Sequence, residues 1–108
     1  MPILRFHAVD ATSICKQSEK LVCELAKTLD CTSDLITLEV IDSSSITNGQ
    51  VTHGYPVIEV LWFDRGQAIQ DAAAKCITKY VMAMGHPESD IIFTPLIKSN
   101  YYENGEHF

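Results

Sequence analysis

Arginine is almost missing from this sequence: Arg5 and Arg65 are the only two in 108 residues. With the lysines they make 8 cations against 14 carboxylates, a net charge of -6 and a pI near 5.0. So few cations cannot build a basic face, which excludes a nucleic-acid-binding or anionic-membrane-binding surface. No apolar run approaches the roughly 18–20 residues that would cross a bilayer. The stretch from Met1 to Asp10 lacks the apolar core and cleavage site of a signal peptide, so a cytoplasmic location is expected. No Cys-x-x-Cys pair occurs. Cys15, Cys23, Cys31 and Cys76 are separated by 8, 8 and 45 positions. That spacing supports neither a metal site nor a redox motif, and the thiols read as reduced, small apolar side chains. No metal and no organic cofactor is expected.

What is present is an ordinary globular composition, 46% hydrophobic and 20% charged. At this length one domain, 1–108, is expected. Within it the sequence repeats. Pro2-Ile3-Leu4-Arg5-Phe6 is matched by Pro56-Val57-Ile58-Glu59-Val60, and Ser33-Asp34-Leu35-Ile36 by Ser89-Asp90-Ile91-Ile92. One helical pattern lies inside each copy. The chain therefore divides into repeat one (2–54), repeat two (55–97) and a tail (98–108), each repeat reading as strand–helix–strand.

The elements follow from spacing. Residues 2–8 form a first strand. Asp10, Thr12 and Ser13 supply helix-start chemistry for a helix over 13–29, with Ile14, Leu21, Val22, Leu25 and Leu29 on one face. A strand is expected over 35–42. Asn48-Gly49 between β-branched residues signals a hairpin. Tyr55–Phe63 is nearly all apolar and predicts a strand buried on both faces. Asp64 opens a helix over 65–84 with Ile69, Ala73, Cys76, Tyr80 and Met84 inward, stopped by Gly85 and Pro87. Residues 90–97 give the fourth strand, and Asn104-Gly105 marks a turn in the aromatic tail. Parallel strands joined through a helix need a right-handed crossover. The expected architecture is an α/β (α+β) two-layer sandwich: duplicated β-α-β units forming a four-stranded sheet with both helices on one face. The bare face carries too many apolar residues to stay exposed, so an oligomer is expected.

Pro2 is the first candidate for chemistry. Loss of Met1 leaves a secondary amine, a base and nucleophile fixed at the start of a strand, and burial would bring its pKa down toward neutrality. Many chains also begin Met-Pro without catalytic purpose, and the dipeptide alone leaves both readings open. Arg65, after the third strand and near a helix start, can hold a carboxylate bidentately or pair with an acid such as Asp64. Trp62 and Phe63 either line a pocket beside Pro2 or pack in the core. Tyr101 and Tyr102 offer an apolar wall with a hydroxyl donor, or clamp an interface. Arg5 is expected to pair with Glu59, its counterpart in the second repeat. His7 and His53 read first as hydrogen-bonded strand and loop residues.

Pro2-Ile3-Leu4, the repeated strand–helix–strand and the Asn-Gly hairpin together resemble the tautomerase superfamily, which includes 4-oxalocrotonate tautomerase and macrophage migration inhibitory factor. Trp62-Phe63-Asp64-Arg65-Gly66-Gln67 and the tail from Asn100 to Phe108 resemble most closely a bacterial family of unknown function, DUF1904. The resemblance implies a tautomerase/MIF-like fold and a homotrimer whose sheets surround a central channel. It implies that Pro2 moves a proton in a keto–enol substrate. It also implies arginines that hold substrate carboxylates, and here the pattern departs. Asp10-Ala11-Thr12 and Thr37 to Glu39 stand where arginines are expected, and Glu39 would repel a carboxylate. Two functions follow: a cofactor-independent tautomerase or isomerase acting on a small keto or enol acid with one carboxylate or none, using Pro2, Arg65, Tyr101 and Tyr102 with Trp62 and Phe63; or a non-catalytic trimeric binding or scaffold protein on the same fold.

Overall fold

The computed structural model describes residues 2–108; Met1, and with it the expected processing step, lies outside the described residues. The strands are β1 (Ile3–His7), β2 (Thr37–Ile41), β3 (Ser45–Thr47), β4 (Gln50–Thr52), β5 (Val57–Trp62), β6 (Asp90–Pro95), β7 (Tyr102–Glu103) and β8 (Glu106–His107). The helices are α1 (Ala11–Leu29) and α2 (Gln67–Ala83). The main sheet has the order β2-β1-β5-β6. β1 and β2 run parallel, as do β5 and β6, while β1 and β5 meet antiparallel. Two parallel β-α-β units thus join along their first strands, and both helices pack on one face.

The repeat is visible in backbone hydrogen bonds. The Thr37 amide donates to the Pro2 carbonyl at 3.1 Å, and the Asp90 amide donates to the Pro56 carbonyl at 3.0 Å. Each proline opens a central strand and anchors the start of its outer neighbour. Proline suits this place because it has no amide hydrogen to leave unpaired there.

Alternation builds the core. Leu4 and Phe6 of β1 and Ile58, Val60 and Trp62 of β5 face the helices and are buried. Ile14, Leu21, Leu25, Ala26 and Leu29 of α1 and Ala73, Cys76, Ile77 and Val81 of α2 meet them. α1 begins two residues earlier than its spacing suggests, with Asp10 at the N-cap. Ser13 hydrogen-bonds the Asp10 carboxyl and holds it below the usual carboxylate range. Asp64 does not itself cap α2. Its Oδ1 accepts the Gly66 amide at 2.8 Å, and Gly66, at φ 93°, takes the N-cap position. Asn48-Gly49 and Asn104-Gly105 both adopt the left-handed conformation of two-residue hairpin turns.

One expectation needs correction. β5 is buried on one face only: Ile58, Val60 and Trp62 are enclosed, whereas Val57, Glu59 and Leu61 are half-buried on the open face. By register that face holds Thr37, Glu39 and Ile41 of β2, Ile3, Arg5 and His7 of β1, Val57, Glu59 and Leu61 of β5, and Asp90, Ile92 and Thr94 of β6. The apolar character of the Tyr55–Phe63 run belongs partly to a surface that one chain leaves uncovered. The β3–β4 hairpin is also bare. Its opposed Ile46 and Val51 are 75% and 73% exposed.

Candidate active site at the amino-terminal proline

The antiparallel register pairs Ile3 with Leu61, and carried one residue further it sets Pro2 opposite Trp62. Pro2 shares the helix-facing side of β1 with Leu4 and Phe6, and its ring is fully buried. Trp62 is buried against Phe93, their ring centres 5.0 Å apart and tilted by 56°. The end of β5 then leaves the sheet through Phe63 and Asp64 to Arg65.

Arg65 turns back over this end of the sheet. Its Nη1 donates to the Phe63 carbonyl at 3.0 Å, and its guanidinium carbon lies 5.6 Å from the centre of the Trp62 ring. The stacking holds a delocalised cation against an aromatic face, an arrangement worth about 0.5–2 kcal/mol. It stands one residue ahead of the Gly66 N-cap. Arg65 therefore sits against Trp62 and keeps donors beyond the one given to Phe63.

The tail closes on the same end. Phe63, Tyr101 and Phe108 form a three-ring cluster with centre separations of 5.4, 5.6 and 4.9 Å. The Phe108 amide donates to the Tyr101 carbonyl at 3.1 Å, extending the β7–β8 ladder by one pair. Phe108 is a member that the sequence reading missed, although the signal was there. A two-residue turn at Asn104-Gly105 pairs 103 with 106 and 102 with 107, so 101 must meet 108. The same alternation separates the two tyrosines. Tyr102 is exposed and meets His107 edge-on at 5.8 Å. Thus Pro2, Trp62, Phe63, Arg65 and Tyr101 converge on one end of the sheet, and Tyr102 faces away from the cluster.

The remaining candidates are tied up elsewhere, Arg5 and His7 on the open face and His53 on the loop after β4. Arg5 Nε donates to Glu39 Oε1 at 3.0 Å, not to Glu59 as the repeat suggested. Glu59 Oε1 instead meets His7 Nε2 at 2.5 Å. Both glutamates flank Arg5 in register, one on each neighbouring strand. His7 faces the same side and takes the second. His53 Nε2 meets the Ala8 carbonyl at 3.1 Å, at the far end of β1 from Pro2.

A second polar cluster lies where the helices touch. Glu24 of α1 accepts from Lys79 Nζ at 2.7 Å and from Cys76 Sγ at 3.4 Å, both on α2. Its hydrogen bond from Lys79, and then that from Cys76, hold the Glu24 carboxyl below its ordinary value of 4.5, while Glu24 raises Lys79 above 10.5. A carboxylate with a lowered pKa stabilises above its unfolded value, and a raised ammonium stabilises below its own. This link is therefore present between those two ordinary values and lost on either side. Burial, with the Glu24 hydrogen bond, pushes the Cys76 thiol up to about 12. The thiolate is the reactive form. Iodoacetamide at about pH 8 is expected to alkylate the exposed Cys15 and Cys23 at least about a hundredfold faster than Cys76. Peptide mass spectrometry over a time course checks this, and equal rates at Cys76 and Cys15 would contradict it.

The fold is that of the tautomerase and macrophage migration inhibitory factor superfamily. A fused 4-OT, solved as an asymmetric trimer, superposes with a TM-score of 0.83 at 11% identity, covering 97% of this chain and 94% of that one. A macrophage migration inhibitory factor-like protein from Entamoeba histolytica gives a TM-score of 0.69 at 12% identity, covering 99% and 96%. Within that class the chain belongs to the DUF1904 family, a domain of unknown function, which it matches over residues 1–107. A DUF1904 domain from Sebaldella termitidis superposes over the whole of both chains (100% of each) with a TM-score of 0.92 and 31% identity. No curated protein matches the chain.

Proposed function

We propose that the chain is a small cofactor-independent proton-transfer protein of the tautomerase or isomerase type, in which Pro2, freed of Met1, is the base. The observation that carries this reading is the full burial of the Pro2 ring opposite Trp62, with Arg65 stacked on the same indole. Burial disfavours the ammonium form, so the amine is unprotonated in more of the population at neutral pH. The neutral amine takes a proton alpha to a carbonyl and returns it to oxygen or to another carbon. Arg65 orients a carboxylate or polarises the carbonyl, and Phe63 and Tyr101 exclude water. Two arginines, one of them bound to Glu39, suit a keto or enol acid with one carboxylate or none.

The same reading takes residues 1–108 as one domain that assembles into a homotrimer through the open sheet face. The half-buried Ile3, Ile41, Val57 and Leu61 and the exposed Ile92 support that assembly. A trimer that only binds or scaffolds is the second reading. It is favoured by the contact of Arg65 with its own Phe63 carbonyl, which gives the guanidinium a structural task.

Processed protein, its mass confirming the loss of Met1, separates the two when treated with 3-bromopyruvate between about pH 5 and 10. Modification at Pro2 with an apparent pKa below that of an ordinary amino-terminal amine is the expected result. Label confined to Cys15, Cys23 and lysines, with Pro2 reacting only at high pH, leaves the scaffold reading.

A further inference from the structure

We propose that His7 is a proton sensor on the open sheet face and that acidification from about pH 8 to 5.5 tightens self-association. The inference rests on the assembly reading above, in which copies of the chain meet through this face.

The open face is not simply apolar. Its middle rows run Glu39–Arg5–Glu59–Ile92 and Ile41–His7–Val57–Asp90 across the four strands. The charged side chains in those rows besides His7 are Arg5 on its own strand, Glu39 on β2, Glu59 on β5 and Asp90 on β6; Tyr55, ahead of β5, and Glu88, ahead of β6, act on the same end beside Asp90. Within the rows three carboxylates stand against one guanidinium. His53, on the loop that follows β4, bonds the Ala8 carbonyl next to His7 in the chain. The helices pack on the other face and contribute no charge to this one.

The side chains of His7 and Glu59 are 29% and 35% exposed, and those of Arg5 and Glu39 are 42% and 44%. Each still has water to lose when a second copy covers it. Bringing equal faces together concentrates equal charge, and with neutral His7 that charge is an excess of carboxylate. A proton on each His7 removes part of the excess and converts the contact with Glu59 into a hydrogen-bonded ion pair. The positive charge beside the Glu59 carboxylate is attracted to it, and the attraction grows as water leaves. Desolvation of the imidazolium opposes this. The direct bond to Glu59, with Glu39 and Asp90 beyond it, sets the sign. The assembled state then binds more protons than the separated chains, and linkage requires association to strengthen as pH falls through the histidine range. Histidine is the side chain whose ordinary titration lies there.

The test compares full-length wild type, His7→Gln, Glu59→Gln and His53→Gln at about pH 8 and 5.5. The concentration at half-association is read by sedimentation from the nanomolar range upward. Where copies stay associated at the lowest concentration, the rate of subunit exchange between differently labelled copies is read instead. In wild type and His53→Gln, acidification is expected to lower the midpoint, or slow exchange, by about tenfold or more. His7→Gln should respond less than about twofold. If His7→Gln does not fold, Glu59→Gln, which keeps the imidazole but removes its carboxylate, should show a reduced response. A full response in a folded His7→Gln overturns the proposal. So does a wild type that weakens on acidification or does not respond. Those outcomes leave the assembly reading intact, whereas a wild type that is monomeric at every concentration and pH overturns both.

Discussion

Blocking the Pro2 nitrogen should lower the turnover of a tautomerisable 2-keto acid by about 10²–10⁴-fold, the usual contribution of a positioned general base. The block is chemical rather than structural. A residue placed ahead of Pro2 turns its secondary amine into an amide nitrogen, whose lone pair is delocalised into the carbonyl and takes up no proton near neutral pH. The strand itself does not depend on the amine. The Pro2 carbonyl still accepts the Thr37 amide, and the ring still packs on the helix-facing side. Processed and extended chains should therefore share one circular dichroism spectrum and one unfolding midpoint while differing in rate. Pro2→Ala, which keeps a free but primary and more mobile amine, should fall between them. The processed chain should show an ascending limb in its pH–rate profile that the extended chain lacks. Equal rates in processed and extended protein, followed by ultraviolet absorbance of the enol, would remove the base from Pro2 and return the molecule to the scaffold reading.

The architecture was legible because it is written twice. The match of Pro2–Phe6 with Pro56–Val60 placed two central strands, and the helical spacing inside each copy forced parallel crossovers. The hairpins were legible because Asn-Gly has a conformational reason to be there. Partner choice was not legible. Arg5 lies between Glu39 and Glu59 in register, and repeat logic selects the wrong one because it knows nothing of His7 two residues on. The burial of β5 was overread for a related reason. An apolar run reports how much surface is eventually covered, not which molecule covers it. At the proposed site, Trp62, Phe63 and Arg65 were candidates because they end the third strand and Tyr101 because it belongs to the aromatic tail, but the contact of Phe108 required counting the hairpin register out to the last residue.

The residue with the largest expected effect on stability lies away from this site. Phe6 is fully buried at the centre of the layer between sheet and helices, while its strand neighbours Arg5 and His7 are half-buried on the other face. Phe6→Ala removes most of a ring from a close-packed layer and leaves a cavity behind, which typically costs about 3–5 kcal/mol. Single domains are stable by only about 5–15 kcal/mol, so this one change consumes a large part of the margin. Arg5→Ala breaks a half-exposed ion pair with Glu39 and should cost the isolated chain less than about 1 kcal/mol. The contrast tests the layer assignment directly, because the two residues are adjacent in sequence and opposite in facing. The chain supplies its own probe: Trp62 is the one tryptophan, it is buried, and it sits on the same face of the sheet as Phe6. Urea unfolding followed by its emission should show a markedly lower midpoint for Phe6→Ala with an unchanged slope, and a small shift for Arg5→Ala. The comparison must be made at matched, low protein concentration, since assembly stabilises by mass action and would add to the apparent effect of any change on the open face. A Phe6→Ala midpoint within error of wild type under those conditions would mean that the layer between sheet and helices is not where this fold holds its stability.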